Sequence, residues 1–561
     1  MVAITTDDSV TKIFGMEGDD TSGTGANALN RLQIELGSSS QVLALEPAAG
    51  SAHVIKGNVT VAEGHFYVAS ASASLSIEGD VSVESGGTLG HADRTGADTF
   101  ESVTISSGGT AIATSGTTTI TGETGNDAWV DQGTFTHNKG LVKIAPATDI
   151  TDTFVTTNTT GYFYDFEMDM DGATDKCMFN PNGGLLKILN NCTCTTGKFV
   201  VEAVADNIEV LGITHITTNS TFGGEDGGSN QTGTMALGHV LLDGGTFVAP
   251  ASDGLTVESF RRLSGTITEN SNTLKMVGTG GIIEGDLDDL PVNVNLDPAL
   301  YFSGDTSDSI SDHVTMGDND LVTTGSMTLS AWIKPETNDA QGACIIGKQA
   351  NYNENSLGYG LYWRAANTTI YFNIGDGSNG ERLNISGNDY VGKWVHLAGT
   401  YNSTSKAMVL YVNGVSVATG TATSVGDLSA SNTDHLRLGA NGADPDEGDA
   451  HFKGYIADAR IYTYVHDQPA VAALASKINI DDPHADSNHG MVGWWKCNEG
   501  TGHAIVDYHN VGTDFDGAFK RNDANYSTDI WKFDQYSVNV HDATTTDGAV
   551  TVTQGKVEGK A

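Results

Sequence analysis

The sequence contains few cysteines, few prolines and few basic residues. Its 561 residues include only 5 cysteines and 10 prolines. Five cysteines are too few, and odd in number, for a disulfide framework, and ten prolines argue against mucin-like or collagen-like segments. The 28 lysines and arginines are outnumbered by 70 aspartates and glutamates, which gives a formal net charge of −42. We expect neither nucleic acid nor an anionic membrane surface as a partner, because both would repel this charge.

The sequence also lacks long apolar segments. No stretch reaches the length that a membrane-spanning helix needs, so we expect no membrane insertion. Residues 1–15, MVAITTDDSVTKIFG, have neither a basic start nor an apolar core. A secretory signal peptide is therefore not expected at this position.

Three of the cysteines, Cys177, Cys192 and Cys194, lie close together in the sequence. They could supply three thiolates to a metal ion, but no histidine with matching spacing follows them. On a strand, Cys192 and Cys194 would share a face and still lie too far apart for easy bridging. Buried free thiols are the expected state.

Composition and length indicate an all-β protein of more than one domain. A chain of 561 residues exceeds what one hydrophobic core usually serves. The 69 glycines, with abundant serine, threonine, asparagine and aspartate, predict many turns and short strands.

The first half of the chain repeats a short Val/Ile/Thr strand that ends in small residues. Examples are GNVTV at 57–61, GDVSVESGGT at 79–88 and SVTISSGGT at 102–110. A spacing of roughly 20–25 residues fits one coil of a β-solenoid or a ladder of hairpins, in which stacking buries the apolar faces. Similar phrases continue to 238–246, so we predict a β-solenoid-like region over 54–290, less regular after 150. An array of β-sandwiches is the alternative.

Residues 1–53 are predicted to cap this solenoid or to dock it to a larger structure. An open stack of coils needs a cap, and an element before a repetitive shaft often attaches it. The stretch Ala26–Leu36, ANALNRLQIEL, is predicted to form an amphipathic helix with Leu29, Leu32 and Ile34 as its apolar positions.

Five phrases between residues 301 and 473 predict strands in a fixed order. In the second phrase, Leu329, Ala331 and Ile333 alternate with other residues at the period of a half-buried strand. In the fourth phrase, the pair Asn413-Gly414 supplies a left-handed turn that closes a two-residue hairpin. The phrases read YFSG at 301–304, MTLSAWIKP at 327–335, GKWVHLAGTY at 392–401, LYVNG at 410–414 and FKGYIADARIY at 452–462.

Together these phrases resemble the laminin-G-like, concanavalin-A-like jelly roll, to which the pentraxins are related. The resemblance covers a segment of about residues 296–475. It implies a sandwich of two packed β-sheets. Trp332 and Trp394 are expected between the two sheets. Members of this family mostly bind glycans or proteins and only sometimes accompany an enzyme, so the resemblance implies binding.

Two segments follow the jelly-roll phrases. The phrase GMVGWWKCNEGTG at 490–502, with Asp507, is similar to a strand found at the beginning or just after the end of the same family. We expect it to close the same sandwich, because too few residues remain for a second one. The predicted sandwich therefore extends over 291–535. A C-terminal β tail over 536–561 is predicted to form a hairpin or an interchain strand.

The segment Glu167–Asp175 is a candidate metal site. Glu167, Asp169, Asp171 and Asp175, with Gly172 among them, match the front half of a calcium loop. Its closing bidentate glutamate is missing. The same run resembles the Glu-x-Asp-x-Glu strand of laminarinase-like glycoside hydrolases, whose paired carboxylates cleave glycans, but it lies outside the predicted jelly roll. A solvated acidic strand or turn is the third possibility.

A second candidate metal site lies in the loop at 441–449 of the predicted sandwich. Asp444, Asp446 and Asp449 offer the several oxygens that Ca²⁺ requires. In pentraxins, which the sandwich resembles, the corresponding loop helps to hold calcium near the ligand site. Calcium is therefore the one cofactor that the sequence suggests.

No nucleophile elbow, zinc-protease motif, P-loop or dinucleotide fingerprint occurs in a suitable context, and no catalytic residue is predicted. The long Gly/Thr/Ser-rich region resembles the shafts of phage fibres and spikes, which often form trimers. A binding module without a signal peptide is also expected to be released by cell lysis, as virion components are. We therefore expect a non-enzymatic virion protein, of the tail-fibre or head-decoration type.

The partners expected of such a protein are other virion proteins, a host surface glycan or protein, and further copies of itself in a homotrimer. Two alternatives remain open. The protein could be a polysaccharide depolymerase or glycoside hydrolase that the jelly roll anchors. It could also be a cellular surface adhesin that is exported without a signal peptide.

Overall fold

The structure is a computed structural model. It describes residues 2–5, 12–15, 32–46, 53–122, 127–146, 152–158, 162–181, 184–225, 231–251, 254–287, 290–304, 312–319, 321–322, 325–337, 342–351, 353–364, 368–426, 428, 432–441, 450–479, 490–509, 515–520, 530–533, 535–541 and 550–559.

The first compact unit is a β-solenoid, as the repeats predict. In every register recorded for its strands, the strands pair in parallel, each with the strand of a neighbouring coil. Its strands up to residue 295 are β1 Val2–Thr5, β2 Lys12–Gly15, β3 Leu32–Glu35, β4 Val42–Glu46, β5 His53–Ile55, β6 Val59–Val68, β7 Leu75–Val83, β8 Gly87–Leu89, β9 Asp98–Ile105, β10 Thr110–Ile112, β11 Thr117–Ile120, β12 Asp127–Asp131, β13 Thr134–Thr136, β14 Leu141–Ile144, β15 Asp152–Thr157, β16 Asp165–Asp169, β17 Lys176–Pro181, β18 Leu185–Ile188, β19 Cys192–Val201, β20 Asn207–Thr217, β21 Ser220–Glu225, β22 Met235–Val248, β23 Leu255–Thr268, β24 Leu274–Met276, β25 Gly280–Glu284 and β26 Val292–Asn295.

The repeat spacing in the sequence equals the length of one coil. Val59 pairs with Val81, which pairs with Val103, and all three side chains are buried in the solenoid interior. Positions between them in each strand point outward, since successive side chains of a strand alternate between its two faces. Each coil thus buries its apolar face against the next coil.

A ladder of glycines marks one corner of the first coils. Gly64, Gly86 and Gly108 all have φ between 83° and 94°, a left-handed conformation that glycine adopts without steric cost. The Gly64 N–H donates to the Gly86 carbonyl at 3.1 Å, and the Gly86 N–H donates to the Gly108 carbonyl at 3.0 Å. The repeated Gly-Gly-Thr phrase of the sequence is therefore a repeated corner.

Phenylalanines fill the interior of the later coils. Phe179 and Phe199 stack with their ring centroids 4.2 Å apart, and Phe199 stacks on Phe222 at 4.7 Å. All three side chains are fully buried. The interior of this region is thus a column of aromatic rings along the coils.

The prediction of a helix over Ala26–Leu36 is wrong for the residues of this segment that the structure describes. Residues Leu32–Glu35 form β3, which pairs in parallel with β1 and β6. Leu32, Ile34 and Leu36 are buried while Gln33 and Glu35 are not, so the segment has the period of a strand. Parallel pairing of the solenoid type therefore already occurs within 1–53.

The second compact unit spans Asn295–Ser537 with Gln554–Lys556. Besides its strands it has a short 3₁₀ helix, Asn388–Tyr390, and the helix α1, Gln468–Leu474. Its strands are β27 Ala299–Ser303, β28 His313–Thr315, β29 Met327–Pro335, β30 Ala343–Gln349, β31 Gly358–Arg364, β32 Thr369–Gly375, β33 Gly380–Ser386, β34 Val395–Tyr401, β35 Ala407–Val412, β36 Val415–Thr421, β37 Arg437–Leu438, β38 Ala440–Asn441, β39 Ala450–His451, β40 Lys453–Tyr462, β41 Met491–Trp495, β42 Ala504–Ile505, β43 Gly517–Lys520 and β44 Trp531–Lys532.

These strands form the predicted sandwich of two antiparallel sheets. Sheet I has the order β36-β35-β34-β29-β40-β27-β44, and β41 also pairs with β40. Sheet II has the order β33-β32-β31-β30-β37-β28-β43-β42. Apolar side chains from both sheets form one core between them. The Asn413-Gly414 turn between β35 and β36 has φ of 48° and 76°, which confirms the predicted left-handed hairpin.

The core tryptophans differ from those predicted. Ala331 and Ile333 face the core, so Trp332 between them points to the opposite face, where its ring meets His396 edge-on at 5.6 Å. Trp394 lies before β34 and stacks on Tyr536 at 5.3 Å. The tryptophans of the core cluster are Trp363, Trp495 and Trp531.

The phrase at 490–502 closes the same sandwich, as predicted. β41 adds to β40 in sheet I, β43 adds to β28 in sheet II, and β44 adds to β27 in sheet I. No second sandwich forms within the described residues after 490.

The C-terminal strands return to the solenoid. They are β45 Ser537–His541, β46 Val550–Gln554 and β47 Lys556–Gly559, and β45 pairs with β25 while β46 pairs with β26. The tail was predicted as a hairpin or an interchain strand; within this chain it instead extends the sheet of the first unit. Along the sequence, the sandwich is therefore inserted between two parts of the solenoid.

Among the helices that the structure describes, none has the length and apolarity that a membrane crossing would require.

Candidate functional site

The acidic run at 167–175 is a strand and a turn. Glu167 and Asp169 lie on the outward face of β16, two residues apart. Both carboxylates accept a hydrogen bond from the Lys143 ammonium of the neighbouring coil, at 2.8 Å each. These ion pairs raise the pKa of Lys143 against the opposing effect of its burial. The run therefore joins two coils electrostatically.

The remaining two acids of this run lie apart from that pair. Asp171 is exposed in the turn after β16, and Asp175 precedes β17. The first half of the run is thus extended and bound to Lys143, so the four acids do not form one continuous loop. Within the part of the chain that the structure describes, no three His, Cys, Asp or Glu side chains gather as metal ligands.

Asp444, Asp446 and Asp449 lie outside the described residues. The strands on either side of them, Ala440–Asn441 and Ala450–His451, pair with each other in antiparallel fashion. Calcium binding by these three aspartates stays a prediction.

All five cysteines are free and buried, as expected. Burial raises the pKa of Cys177 and Cys192 well above the usual range of a thiol. A protonated, buried thiol is a poor nucleophile and a poor metal ligand. These cysteines therefore contribute apolar contacts to the core.

The outer face of sheet II has a cluster of tyrosine, arginine and asparagine side chains. On β31 and β32, Leu361 and Phe372 face the sandwich core, so the alternate residues Tyr362, Tyr371 and Asn373 face outward. We call the outward residues of β31, β32 and β33 the tyrosine–arginine face; they are Tyr362, Arg364, Tyr371, Asn373, Arg382 and Asn384.

Tyr371 lies at the centre of this face. The Arg382 guanidinium lies over its ring at 4.7 Å, and Arg364 Nη1 donates to its hydroxyl at 3.4 Å. Arg382 Nε also donates to Asn373 Oδ1 at 2.9 Å. The two guanidinium groups are thus held in place by an aromatic ring and an amide, while Asn384 beside them is exposed.

The side chains of this face differ in exposure, and Tyr371 and Asn373 of β32 are buried. Tyr362 is fully buried, and burial raises its pKa well above the usual range. Its hydroxyl donates to Gln349 Oε1 at 2.8 Å. Arg364 and Arg382 are half-buried, and Glu354 lies 3.5 Å from Arg382. A ligand would therefore meet the arginines and Asn384 rather than Tyr362.

The outer face of sheet I is covered instead. Val471 of α1 packs on Ala398 and Tyr411, which point away from the sandwich core. Helix α1 begins at a capping residue, Asp467, whose side chain accepts a hydrogen bond from the Ala470 N–H at 3.0 Å. Pro469 in the first turn also favours a helix start at this position. The sandwich thus has one face covered by a helix and one with polar groups.

Beside α1 lies a buried charged network. Asp458 Oδ1 accepts hydrogen bonds from Arg460 Nε and Trp494 Nε1, both at 2.7 Å. Its Oδ2 accepts from the Asn479 N–H at 2.8 Å. Asp458 is buried, and its carboxylate accepts these three hydrogen bonds from protein groups. Asp458 therefore supports the local structure beside α1.

Sequence reasoning missed the tyrosine–arginine face. Its residues lie on three strands, and none of the quoted family phrases includes them. The alternation LYWR at 361–364 and IYFN at 370–373 was the available signal, because a large polar residue recurs at every second position.

Comparisons with known proteins place a lectin-like domain in the sandwich. Residues 307–472 match the family model described as the concanavalin A-like lectin/glucanases superfamily, of the laminin G type. A comparison with curated proteins finds no match. These residues therefore belong to a concanavalin A-like domain.

Solved structures with similarity to the chain have low identity. A putative carbohydrate binding protein from Bacteroides ovatus aligns with a TM-score of 0.30 and 16% identity, over 41% of this chain and 62% of that one. A pentraxin from Limulus polyphemus aligns with a TM-score of 0.26 and 18% identity, over 33% of this chain and 85% of that one. Domains LG4-5 of mouse laminin alpha1 align with a TM-score of 0.22 and 16% identity, over 29% and 40%. The chain thus spans less than two thirds of the Bacteroides ovatus protein.

Proposed function

We propose that the protein is a non-catalytic adhesive protein whose sandwich binds a glycan through the tyrosine–arginine face. The observation that supports this most directly is the pair of guanidinium groups, of which Arg382 lies over the ring of Tyr371 and Arg364 donates to its hydroxyl. Fixed donors in a planar fork suit the hydroxyl and carboxylate oxygens of a saccharide. The concanavalin A-like fold of this unit agrees with a binding role.

The absence of catalysis is part of the proposal. The carboxylate pair considered for glycan hydrolysis, Glu167 and Asp169, has the Lys143 ammonium between its two members. A glycosidase needs that space for the glycosidic bond and the attacking group. The pair therefore suits a structural role better than a catalytic one.

The binding test compares wild type with the double variant Arg364→Ala/Arg382→Ala on an array of surface glycans. Loss of two charge-assisted donors should weaken the recognised glycan at least tenfold, that is by about 1.4 kcal/mol or more. Arg261→Ala is the matched control, because Arg261 is an exposed arginine of the solenoid that pairs with Glu284 at 2.5 Å. Unchanged binding in the double variant, with a native thermal transition, would contradict the proposal.

For the biological setting we propose a virion, either a tail fibre or a head decoration, with other virion proteins and a host surface glycan or protein as partners. The support is a solenoid joined to a lectin-like domain in one acidic chain. Antibodies against the sandwich should label intact particles in electron micrographs. Labelling of host cells before lysis, with bare particles, would instead favour a cellular adhesin.

Calcium is proposed as a ligand of Asp444, Asp446 and Asp449. These three carboxylates lie within six residues of sequence and are hard oxygen ligands of the kind that Ca²⁺ prefers. Titration calorimetry with Ca²⁺ alone should show binding that the triple Asp→Asn variant loses, and the Asp171→Asn/Asp175→Asn variant is the control. Binding that survives the triple variant would remove this site.

A further inference from the structure

The four edges of the sandwich differ in how they are protected. An unpaired edge strand exposes backbone N–H and C=O groups, and proteins protect such edges with short strands or charged side chains. β44 and β42 at two of the edges have two residues each. β33 at the third edge has Glu381 and Arg382. The remaining edge is β36, which has seven residues and no charge.

The exposed side chains of β36 are apolar or β-branched. Val415 is 57% exposed and Val417 is 40% exposed, and Thr419 and Thr421 are exposed as well. Among the described strands, β36 pairs with β35 alone. A register shift near Ser416 disturbs the beginning of the strand, and the part from Ala418 onward pairs regularly with β35.

The charge of the chain limits what can bind this edge. The run from Ala407 to Gly426 contains no Asp, Glu, Lys, Arg or His, and it forms the whole β35–β36 hairpin. Two copies of a protein with a net charge of −42 repel each other over most of their surface. An uncharged edge is the place where two copies can approach with the least repulsion. It also offers no charge that would recognise a strongly basic partner.

We propose that β36 pairs in antiparallel fashion with β36 of a second copy of this chain, so that the protein is a dimer and not the homotrimer expected from the sequence. An edge strand is complementary to itself in this orientation, because the two strands exchange backbone hydrogen bonds across a two-fold axis. The regular part, Ala418–Thr421, forms the new ladder. Val417 borders this ladder and buries part of its exposed side chain in the contact. This pairing joins the two copies of sheet I into one sheet.

The first test is the mass of the full-length protein by light scattering. Two-fold pairing predicts a particle of twice 58.6 kDa that dissociates on dilution. Thr419→Lys places two ammonium groups near each other across the axis and should weaken association at least tenfold. Thr136→Lys is the matched control, because Thr136 is an exposed threonine on strand β13 of the solenoid. The control should associate as wild type does.

The second test is cysteine cross-linking. All five native cysteines are buried, so Thr419→Cys would provide an exposed thiol next to the two-fold axis and should form a covalent dimer on mild oxidation. A monomer at every concentration, a trimer, or undiminished association in Thr419→Lys would each overturn the proposal. Glycan binding is measured separately, so a failure of this pairing leaves the tyrosine–arginine face unaffected, and the reverse also holds.

Discussion

The solenoid and the sandwich bury their apolar side chains by different routes through the sequence. In the solenoid, Val59, Val81 and Val103 form successive contacts between neighbouring coils. In the sandwich, Ala299 near the beginning of the unit pairs with Lys532 near its end, so the two residues are far apart in the sequence. The stability of a coil stack is therefore a sum of contacts between neighbouring coils. The sandwich is complete only when strands from the two ends of its sequence pair with each other.

The two units also differ in the ionisable groups that they bury. The solenoid buries the ion pair of Arg94 and Asp98, and burial raises the pKa of Asp98 to about 6. The sandwich buries His396, whose pKa burial and the nearby Arg460 lower to about 3. Folding therefore favours the protonated form of Asp98 in the solenoid and the neutral form of His396 in the sandwich. Acid should therefore affect the units in opposite directions.

The largest difference is expected from a core truncation in the solenoid. Phe199→Ala removes a ring that stacks on Phe179 and Phe222, and the loss should reduce the free energy of unfolding of the solenoid by about 3–5 kcal/mol. Calorimetry should show the solenoid transition lowered and the sandwich transition unchanged. Leu185→Ala, at a position 43% exposed, is the control. Equal loss in both transitions would show that the units unfold together.

His396 should make the sandwich sensitive to acid. The unfolded chain binds a proton near pH 6.5 and the folded chain only near pH 3, so stability is lost as the pH falls through this window. The loss amounts to about 3 kcal/mol by roughly pH 4. Denaturant titrations of His396→Phe, which keeps an aromatic ring against Trp332, should lose this slope. An unchanged slope would assign the acid sensitivity to other groups.

Asp98 should give the solenoid a slope of the opposite sign. Its folded pKa of about 6 exceeds the ordinary value of 3.8, so the folded state binds the proton more tightly. Stability is then highest below about pH 4 and falls by about 3 kcal/mol as the pH rises through about 6. Denaturant titrations at several pH values give the free energy of unfolding of wild type and of Asp98→Asn. The difference between their slopes against pH is the contribution of Asp98. Parallel curves for the two proteins would contradict the assignment.

The smallest effect is expected at the ion pairs between coils. Lys143→Met removes the ammonium that Glu167 and Asp169 share, and these groups are partly exposed. Such pairs contribute about 0.2–1 kcal/mol and less in salt. The variant should lose solenoid stability at low salt and little at high salt. A loss that salt does not change would indicate a packing role for the lysine stem.

Much of the fold could be predicted from local patterns. The repeat of Val59, Val81 and Val103 predicted the coils because stacking needs equivalent side chains at equivalent positions. The Asn413-Gly414 turn and the closing phrase at 490–502 were predicted correctly for the same kind of reason. The helix over Ala26–Leu36 was wrong, since the alternation of Leu32, Ile34 and Leu36 is also a strand period and pairing with β6 decided between them.

The candidate site could be predicted far less well. The acids of 167–175 are spaced like calcium ligands, but the extended strand and Lys143 on the next coil decided their role. Lys143 is 24 residues away from Glu167, and only the coil length brings them together. The tyrosine–arginine face likewise consists of residues from three strands, and no single sequence phrase predicts that these strands are neighbours in one sheet.

The sequence by itself determined the all-β character, the coil spacing and the lectin-like phrases, because each depends on residues that are near one another in the chain. The tertiary structure alone decided that β45 and β46 return to the solenoid after the sandwich. It also decided which sandwich face α1 covers and which edge strand remains uncharged and open. These features depend on pairing between distant segments, and the physical reason is that a strand's face and partner are set by its neighbours in the sheet.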